Sequence, residues 1–425
     1  MDSALPNYEQ AAKRIAAYAA GRSKEPPPVE QASLEHCGGR VLAQRIVADR
    51  DQPPFARSTR DGFACRAAEA SRHEPLRIAG ANRAGDAPSG PLPHGAAWEI
   101  MTGAAVPAGA DAVAMIEHVE AQDGHICLHE SRTLKPGENI VEQGAQARAG
   151  DKLLPSGSAL TFSQIALAAS CGYARLDVFA RPRVAILTTG DELVAVEAEP
   201  APGQIRNSNG PMLAALVAAA GGDPWLLPTA ADNAAALDAA LHQAADADLL
   251  LLSGGVSAGK FDLVEPALAR AGAQFHFTGV RIQPGKPLVF GELGRNPKAG
   301  LRAEGRKRPL PFFGLPGNPV SSAVTFLLFG APVLAALAGR REFGPRFALA
   351  RLGQKTKKHA LPGLTRFLPA HCDFNPSTSA EPEVALVQWQ GSGDLAALAR
   401  ANCFLVVPEE APQLEPGALV RILLP

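Results

Sequence analysis

Four carboxylates, two glycine-rich turns and one lysine lie at the ends of apolar segments between residues 183 and 322 of this chain. Asp191 and Glu192 follow VAILTT, Asp232 follows PWLLP, and Asp262 follows DLLLLSGG. Carboxylates converging on one spot repel one another unless a hard cation such as magnesium lies among them. Asp232 has a second reading as the N-cap of the helix that follows it. The turns Ser253-Gly254-Gly255-Val256-Ser257 and Gly314-Leu315-Pro316-Gly317-Asn318-Pro319 each stand between a strand pattern and a helix pattern. Small residues there let backbone N–H groups approach a phosphate, and the following helix N-terminus adds a partial positive charge. Neither turn matches a P-loop or GxGxxG, so no nucleotide class follows from spacing. Each can also be a tight turn with Ser257 or Asn318 as a cap. Lys286, inside the rigid Pro284-Gly285-Lys286-Pro287 turn, is a fixed cation suited to an anion.

The elements that must carry these groups are legible from Arg183 onward. Continuous apolar strands alternate with helical stretches: VAILTT, a helix from Asn209 to Ala220, PWLLP, a helix from Asp232 to Ala245, then DLLLLSGG. That alternation implies a parallel sheet covered on both faces, with ligands bound beyond the carboxyl ends of its strands. The loops at that edge include TTGDE, which holds Thr189 and Gly190, and FFGLPGNPVSS. Upstream, residues 7–22 read as a helix ending before Pro26 to Pro28, and a second short helix is expected over Ser33 to Leu42. Short apolar runs between turn residues make 47–146 β-rich, and Ser163 to Ala169 returns to helix, so the β-rich part reads as an insertion into a helical domain. After Gly339, alternating segments such as RFALARL and ALVRILL predict a C-terminal β-barrel or sandwich.

Composition bounds the class. At 425 residues with 46% hydrophobic and 20% charged residues, the chain exceeds what one core usually supports. Its net charge of −1 gives no global reason to expect nucleic acid or an acidic membrane as partner. The first residues, MDSALPNYEQAAKRI, lack the apolar core of a secretory signal, and six scattered cysteines without CxxC suit reduced thiols, so the cytoplasm is expected. The apolar run Ala323 to Ala338 falls short of the ~20 residues of a membrane span and reads as a buried helix. His125, Cys127 and His129 would share one strand face, but no fourth zinc ligand has a recognisable spacing. The basic stretch RNPKAGLRAEGRKR reads as a solvated hairpin loop.

Seven motifs in order carry a resemblance that extends from about residue 7 to the end: PPFARSTRDGFACR, MTGAAVPAGADAVAMIE, PGENIVEQGAQARAGDKLLPSG, RPRVAILTTGDELV, LLSGGVSAGKFD, QPGKPLVFG and GLPGNPVSSAVTF. The chain resembles the molybdopterin molybdenumtransferases, the MoeA and gephyrin E-domain family. The resemblance implies a multidomain α/β protein. An elongated helical domain (1–48 and 148–180) is interrupted by a β domain (49–147), then come a doubly wound α/β molybdopterin-binding domain (181–339) and a small C-terminal β-barrel (340–425). It implies a homodimer with the active site between subunits, and insertion of molybdate into adenylyl-molybdopterin with magnesium and release of AMP. The molybdopterin adenylyltransferase and recipient molybdoenzymes become expected protein partners.

Carried over by motif position, Asp61 and Thr102 reach the site from the β domain of the neighbouring subunit, while Glu192, Asp232 and Asp262 form the acidic cluster, with Glu192 and Asp262 on the metal. Thr189, Gly190, Ser253, Gly254, Gly255, Ser257, Gly317, Asn318 and Pro319 would bind the pterin and its phosphate. Lys286, Pro287 and Ser392 would line the oxyanion pocket. The chain departs from the family where Gln283 replaces a lysine, where Leu364 and Pro369 replace two arginines, and where Glu142-Gln143-Gly144-Ala145-Gln146 loses two acids. Arg366, two residues along a strand from position 364, is expected to take over the lost cation's work. The competing readings are a non-enzymatic scaffold or cofactor-binding protein of the same fold, and a related pterin adenylyltransferase.

Overall fold

The computed structural model describes residues 5–86, 90–255, 263–294, 308–356, 363–374, 381–411 and 413–425. Its first helix, Tyr8–Arg22, is nucleated by a capping box in which the Asn7 side chain accepts from the Gln10 backbone and Gln10 bonds back to Asn7. Tyr8, Ala11, Ile15 and Ala19 form its buried stripe at helical spacing. That stripe packs onto the α/β core, where the Tyr8 ring meets Phe367 at 5.4 Å and Phe329 at 6.2 Å.

The short helix expected over 33–42 does not form. Val29–Ser33 is a strand paired antiparallel with Arg175–Phe179, and only a 3-10 turn, Leu34–His36, follows. Gly39 at φ +73 turns the chain out of the helical path, and Leu42 then donates its N–H to Ser158. The expected helix near 163–169 is present as Phe162–Ser170.

The β-rich region leaves and returns by adjacent strands, Ile46–Val47 with Lys152–Leu154 and Arg57–Ser58 with Ile140–Val141. Between them lies a six-stranded sheet in the spatial order Ala112–Met115, Gly62–Cys65, Ala96–Ile100, Leu76–Asn82, His125–Leu128, Val119–Gln122. Phe63, Leu76, Ile126 and Leu128 fill its core.

The α/β sheet runs Asp223–Leu226, Arg183–Thr188, Leu249–Ser253, Leu310–Leu315, Val289–Leu293, Ala273–Thr278; the first four strands are parallel, and Val289–Leu293 is antiparallel to both of its neighbours. Alternate residues serve opposite faces. Val184, Ile186, Leu249 and Leu251 pack under the helices Asn209–Ala219 and Pro319–Leu337, while Ala185, Leu187, Leu250 and Leu252 pack under Ala234–Gln243 and Val264–Arg270. The sheet is therefore doubly wound. Helix Pro319–Leu337, 19 residues with a π-helical stretch at Phe326–Gly330, is longer than the run read from the sequence and passes as a membrane span by length and composition. It is 83% buried in this fold, so it serves as a core helix.

The C-terminal barrel closes. Thr365–Asp373 pairs with both Glu383–Leu386 and Cys403–Val407, and Arg346–Leu352 and Leu419–Leu424 complete the ring of five strands. The strand Ile282–Gln283 joins its edge, setting Gln283 opposite Arg366.

Candidate functional site

The parallel strands end in loops that wall a cavity of about 910 Å³, lined among others by Thr189, Gly190, Glu192, Asp232, Ser253, Gly254, Gly255, Pro287, Gly317, Asn318 and Pro319. The first glycine turn is locked to the strand beside it: Thr189 N donates to Ser253 O at 3.0 Å, and Gly254 N to Leu315 O at 3.3 Å. Gly254 has φ +101, and a Cβ there would stand 2.4 Å from the Thr189 carbonyl oxygen. Only glycine permits that approach.

The carboxylates meet because two loops are clamped. Thr189 bridges Ala230, and Gly190 N donates to Ala230 O at 3.4 Å, which brings the loop after Arg183–Thr188 against the loop holding Asp232. Asp232 N donates to Asp191 Oδ1 at 3.0 Å. Glu192 folds its carboxylate back over Gly190, where a Cβ would stand 2.5 Å from Glu192 Oε2. Asp232 is open to solvent, yet partial burial at the cavity wall raises its pKa above the usual carboxylate value, and the Asp191 and Glu192 charges raise it further. The cap expected of Asp232 belongs to its neighbour. Asn233 accepts from Ala236 N at 2.9 Å and starts the helix Ala234–Gln243, leaving the Asp232 carboxylate to the cavity.

Asn318 precedes helix Pro319–Thr325 but makes no side-chain cap bond; its Nδ2 donates to Ser392 Oγ at 2.8 Å. Ser392 O accepts from Val320 N at 3.0 Å, so the Gly391-Ser392-Gly393 turn is fastened to the second glycine turn at the cavity rim. Lys286 is exposed and is absent from the described lining, which its neighbour Pro287 joins. Arg366 lies elsewhere, in a second cavity of about 720 Å³ with Gln283, Lys355 and Trp389. The Gln283–Pro287 segment thus touches one cavity at each end. Arg366 is 5% exposed, and burial lowers its pKa below the ordinary guanidinium value. The barrel strand begins at Thr365, so position 364 falls just outside the strand on which the two-residue offset was argued.

Asp61 and Thr102 are exposed and paired with each other in the turns that flank strands Gly62–Cys65 and Ala96–Ile100, and are absent from the described lining of either cavity. Thr102 donates to Asp61 Oδ1 from its N–H at 2.6 Å and its hydroxyl at 2.8 Å, which holds the Asp61 pKa below the usual value. Ser257, Asp262 and most of the basic stretch 295–308 lie outside the described residues. Among the described residues no three His, Cys, Asp or Glu side chains are gathered to hold a metal; Cys127 instead donates its thiol to His73 O at 3.2 Å.

Sequence reading missed the opposite wall, Gln204 to Asn209. Asn209 Nδ2 donates to Ser253 Oγ at 2.9 Å and Gly317 O at 2.6 Å, joining the two glycine turns. Asn207 Nδ2 donates to Thr188 Oγ1 at 2.8 Å. The signal was present as RNSN just before a helix, a polar cluster easily read as capping alone.

Comparison with known proteins decides the family. The MoeA N-terminal region (domain I and II) matches residues 6–172, a probable molybdopterin binding domain matches 185–336, and the MoeA C-terminal region (domain IV) matches 350–424. The Haemophilus influenzae molybdopterin molybdenumtransferase is 33% identical over 402 residues, covering 93% of this chain and 94% of that protein. The chain belongs to the molybdopterin molybdenumtransferase family. Another member, from Bacillus subtilis, is 34% identical over 407 residues, covering 93% of this chain and 89% of its own. The crystal structure of the molybdopterin biosynthesis MoeA protein of Pyrococcus horikoshii OT3 superposes with a TM-score of 0.77 at 27% identity, covering 99% of this chain and 100% of that one. The family's fold is thus present from end to end.

Proposed function

We propose that this protein is a molybdopterin molybdenumtransferase, an enzyme that inserts molybdenum from molybdate into adenylyl-molybdopterin and releases AMP. The observation that carries the reading is the single cavity in which two glycine turns face two carboxylates at the carboxyl ends of a parallel sheet. The turns centred on Gly254 and Gly317 bring backbone close to a phosphate, and the walls seat the pterin. Glu192 and Asp232 are oxygen donors of the kind magnesium takes, and one or two carboxylates with substrate phosphates and waters suffice for that ion. Bound there, magnesium would offset the negative charge that develops on the phosphoanhydride as it is cleaved. Incubation with adenylyl-molybdopterin, magnesium and molybdate should release AMP without consuming ATP. ATP consumption would mark an adenylyltransferase, and no AMP a scaffold.

The reading extends to a homodimer in which Asp61 and Thr102 of one copy complete the cavity of the other. Supporting it, Phe162 is 88% exposed on a short apolar helix that buries only Ala168. Large apolar side chains also stand exposed beside both halves of the composite site, Met101 and Ile116 near Asp61, and Ile205 and Leu395 at the cavity mouth. Covering these side chains with a second copy would remove apolar surface from water. Light scattering at micromolar concentration should give twice the chain mass, and Phe162→Asp should shift the protein toward monomer. A monomer mass for the unaltered chain would overturn the dimer. The substrate would come from a molybdopterin adenylyltransferase and the product would pass to molybdoenzymes, all in the cytoplasm, where the six free cysteines stay reduced.

For the oxyanion we assign the cation's role to Arg366, whose guanidinium stays charged at its buried position beside Gln283. Arg366→Ala should raise the molybdate concentration needed for half-maximal AMP release about tenfold or more, given the strength of charge-assisted hydrogen bonds to an oxyanion. An unchanged molybdate dependence would remove Arg366 from the site.

A further inference from the structure

The wall of the cavity that no motif announced is a strap of two short paired strands, Leu193–Val194 and Ile205–Arg206. Ile205 N donates to Glu192 O at 2.8 Å and Asn207 N to Val194 O at 2.9 Å, so the strap holds Arg206 in fixed backbone register with Glu192. Arg206 Nε donates to Ala198 O at 3.1 Å, which ties the guanidinium to the strap and uses one of its five N–H donors. Among the described residues lining the cavity, Arg206 is the sole basic residue, and the same lining holds Glu192 and Asp232.

That charge balance poses a problem for any phosphate-bearing substrate. The two carboxylates of the described wall repel an incoming anion, and a cation in the same wall offsets part of that repulsion. The planar guanidinium is the side chain best matched to phosphate oxygens, because its parallel N–H groups bond two of them at once. We infer that Arg206 is a further phosphate-binding residue of this cavity, pairing with a phosphate oxygen of the adenylylated pterin that the glycine turns also approach. This rests on the function proposed above and adds to it a residue that binds the substrate. Because Arg206 and Glu192 sit on bonded backbone, any movement of the strap carries the cation and the acid together. The substrate phosphate and the acidic site thereby stay in register.

The test is equilibrium binding of adenylyl-molybdopterin to the whole chain without molybdate, with the unaltered protein, Arg206→Ala and Arg206→Lys compared at low and raised salt. Arg206→Ala should bind about tenfold more weakly at low salt, as loss of one charge-assisted contact at an open cavity predicts. The gap should narrow as salt rises, because screening weakens the contact in the unaltered protein. Arg206→Lys should recover part of the affinity, since it restores the charge but not the paired N–H groups. Equal binding by Arg206→Ala would overturn the inference, as would a deficit that ignores salt and is not recovered by lysine, the mark of a strap that has merely loosened. If the unaltered chain does not bind adenylyl-molybdopterin at all, the proposed function falls and this inference with it. Binding by the unaltered chain with no loss in Arg206→Ala sinks the inference alone.

Discussion

Asp232→Asn is expected to slow AMP release at least about a hundredfold while pterin affinity stays within a few fold, because the change removes charge and keeps shape. The carboxylate stands in the same cavity wall as Glu192 and bonds through its backbone to Asp191, and it makes no helix cap that the substitution could spoil. The same variant has a signature that needs no turnover. Since burial and the charges of Asp191 and Glu192 raise the Asp232 pKa in the folded state, ionised Asp232 opposes folding. This opposition is fully present above the raised folded value. It fades as pH falls through that value toward the ordinary carboxylate value, below which the group is protonated both folded and unfolded. At neutral pH without divalent cations Asp232→Asn should therefore melt slightly higher than the unaltered chain, with the difference shrinking on acidification. Magnesium should raise the melting temperature of the unaltered chain more than that of the variant, and more at higher pH, as Asp232 loses its proton. Normal AMP release by Asp232→Asn would make the carboxylate a bystander to the chemistry.

Gly254→Ala should cost on the order of 2–3 kcal/mol of stability, combining an L-residue's penalty at positive φ with local overpacking. The new methyl would lie 2.4 Å from the Thr189 carbonyl oxygen, a backbone atom that cannot swing aside. The turn must shift, and it carries Ser253, whose hydroxyl accepts from Asn209. Pterin binding should fall tenfold or more, read by direct titration, along with a melting temperature several degrees lower. Gly317→Ala is the matched control. Its added Cβ would lie 3.6 Å from its nearest neighbour, Gly254 Cα, an ordinary contact, so that variant should fold as the unaltered chain does. Equal melting and pterin binding for Gly254→Ala would show that the turn tolerates a side chain and does not shape the pocket.

Local pattern was enough to place the chemistry at one edge of one sheet. Apolar runs such as VAILTT and LLLLS, separated by helical stretches, specify a parallel sheet because only strands buried on both faces stay apolar throughout. Ligand chemistry at the carboxyl edge then follows from topology, and the carboxylates and glycine turns at the ends of those runs are legible one by one. The barrel too could be read from alternation, though its closure through the pairing of Thr365–Asp373 with Cys403–Val407 could not.

What the sequence by itself determined is the set of elements, their order and the residue types that end up at the sheet edge, because these depend on periodicity and turn chemistry over a few residues. Tertiary structure alone decided which of those residues share a cavity. Val29–Ser33 became a strand because its partner Arg175–Phe179 returns from the far side of an insertion, a pairing outside any local window. Asn233 took the cap and freed Asp232, a choice between adjacent residues with equal capping chemistry that only the clamp to Asp191 resolved. Arg206 joined the segment after Glu192 through strand pairing across ten intervening residues, and Arg366 was placed in a second cavity by its register with Gln283. In each case the deciding term was a long-range hydrogen bond or a burial, and neither has a signature in the identity of the neighbouring residues.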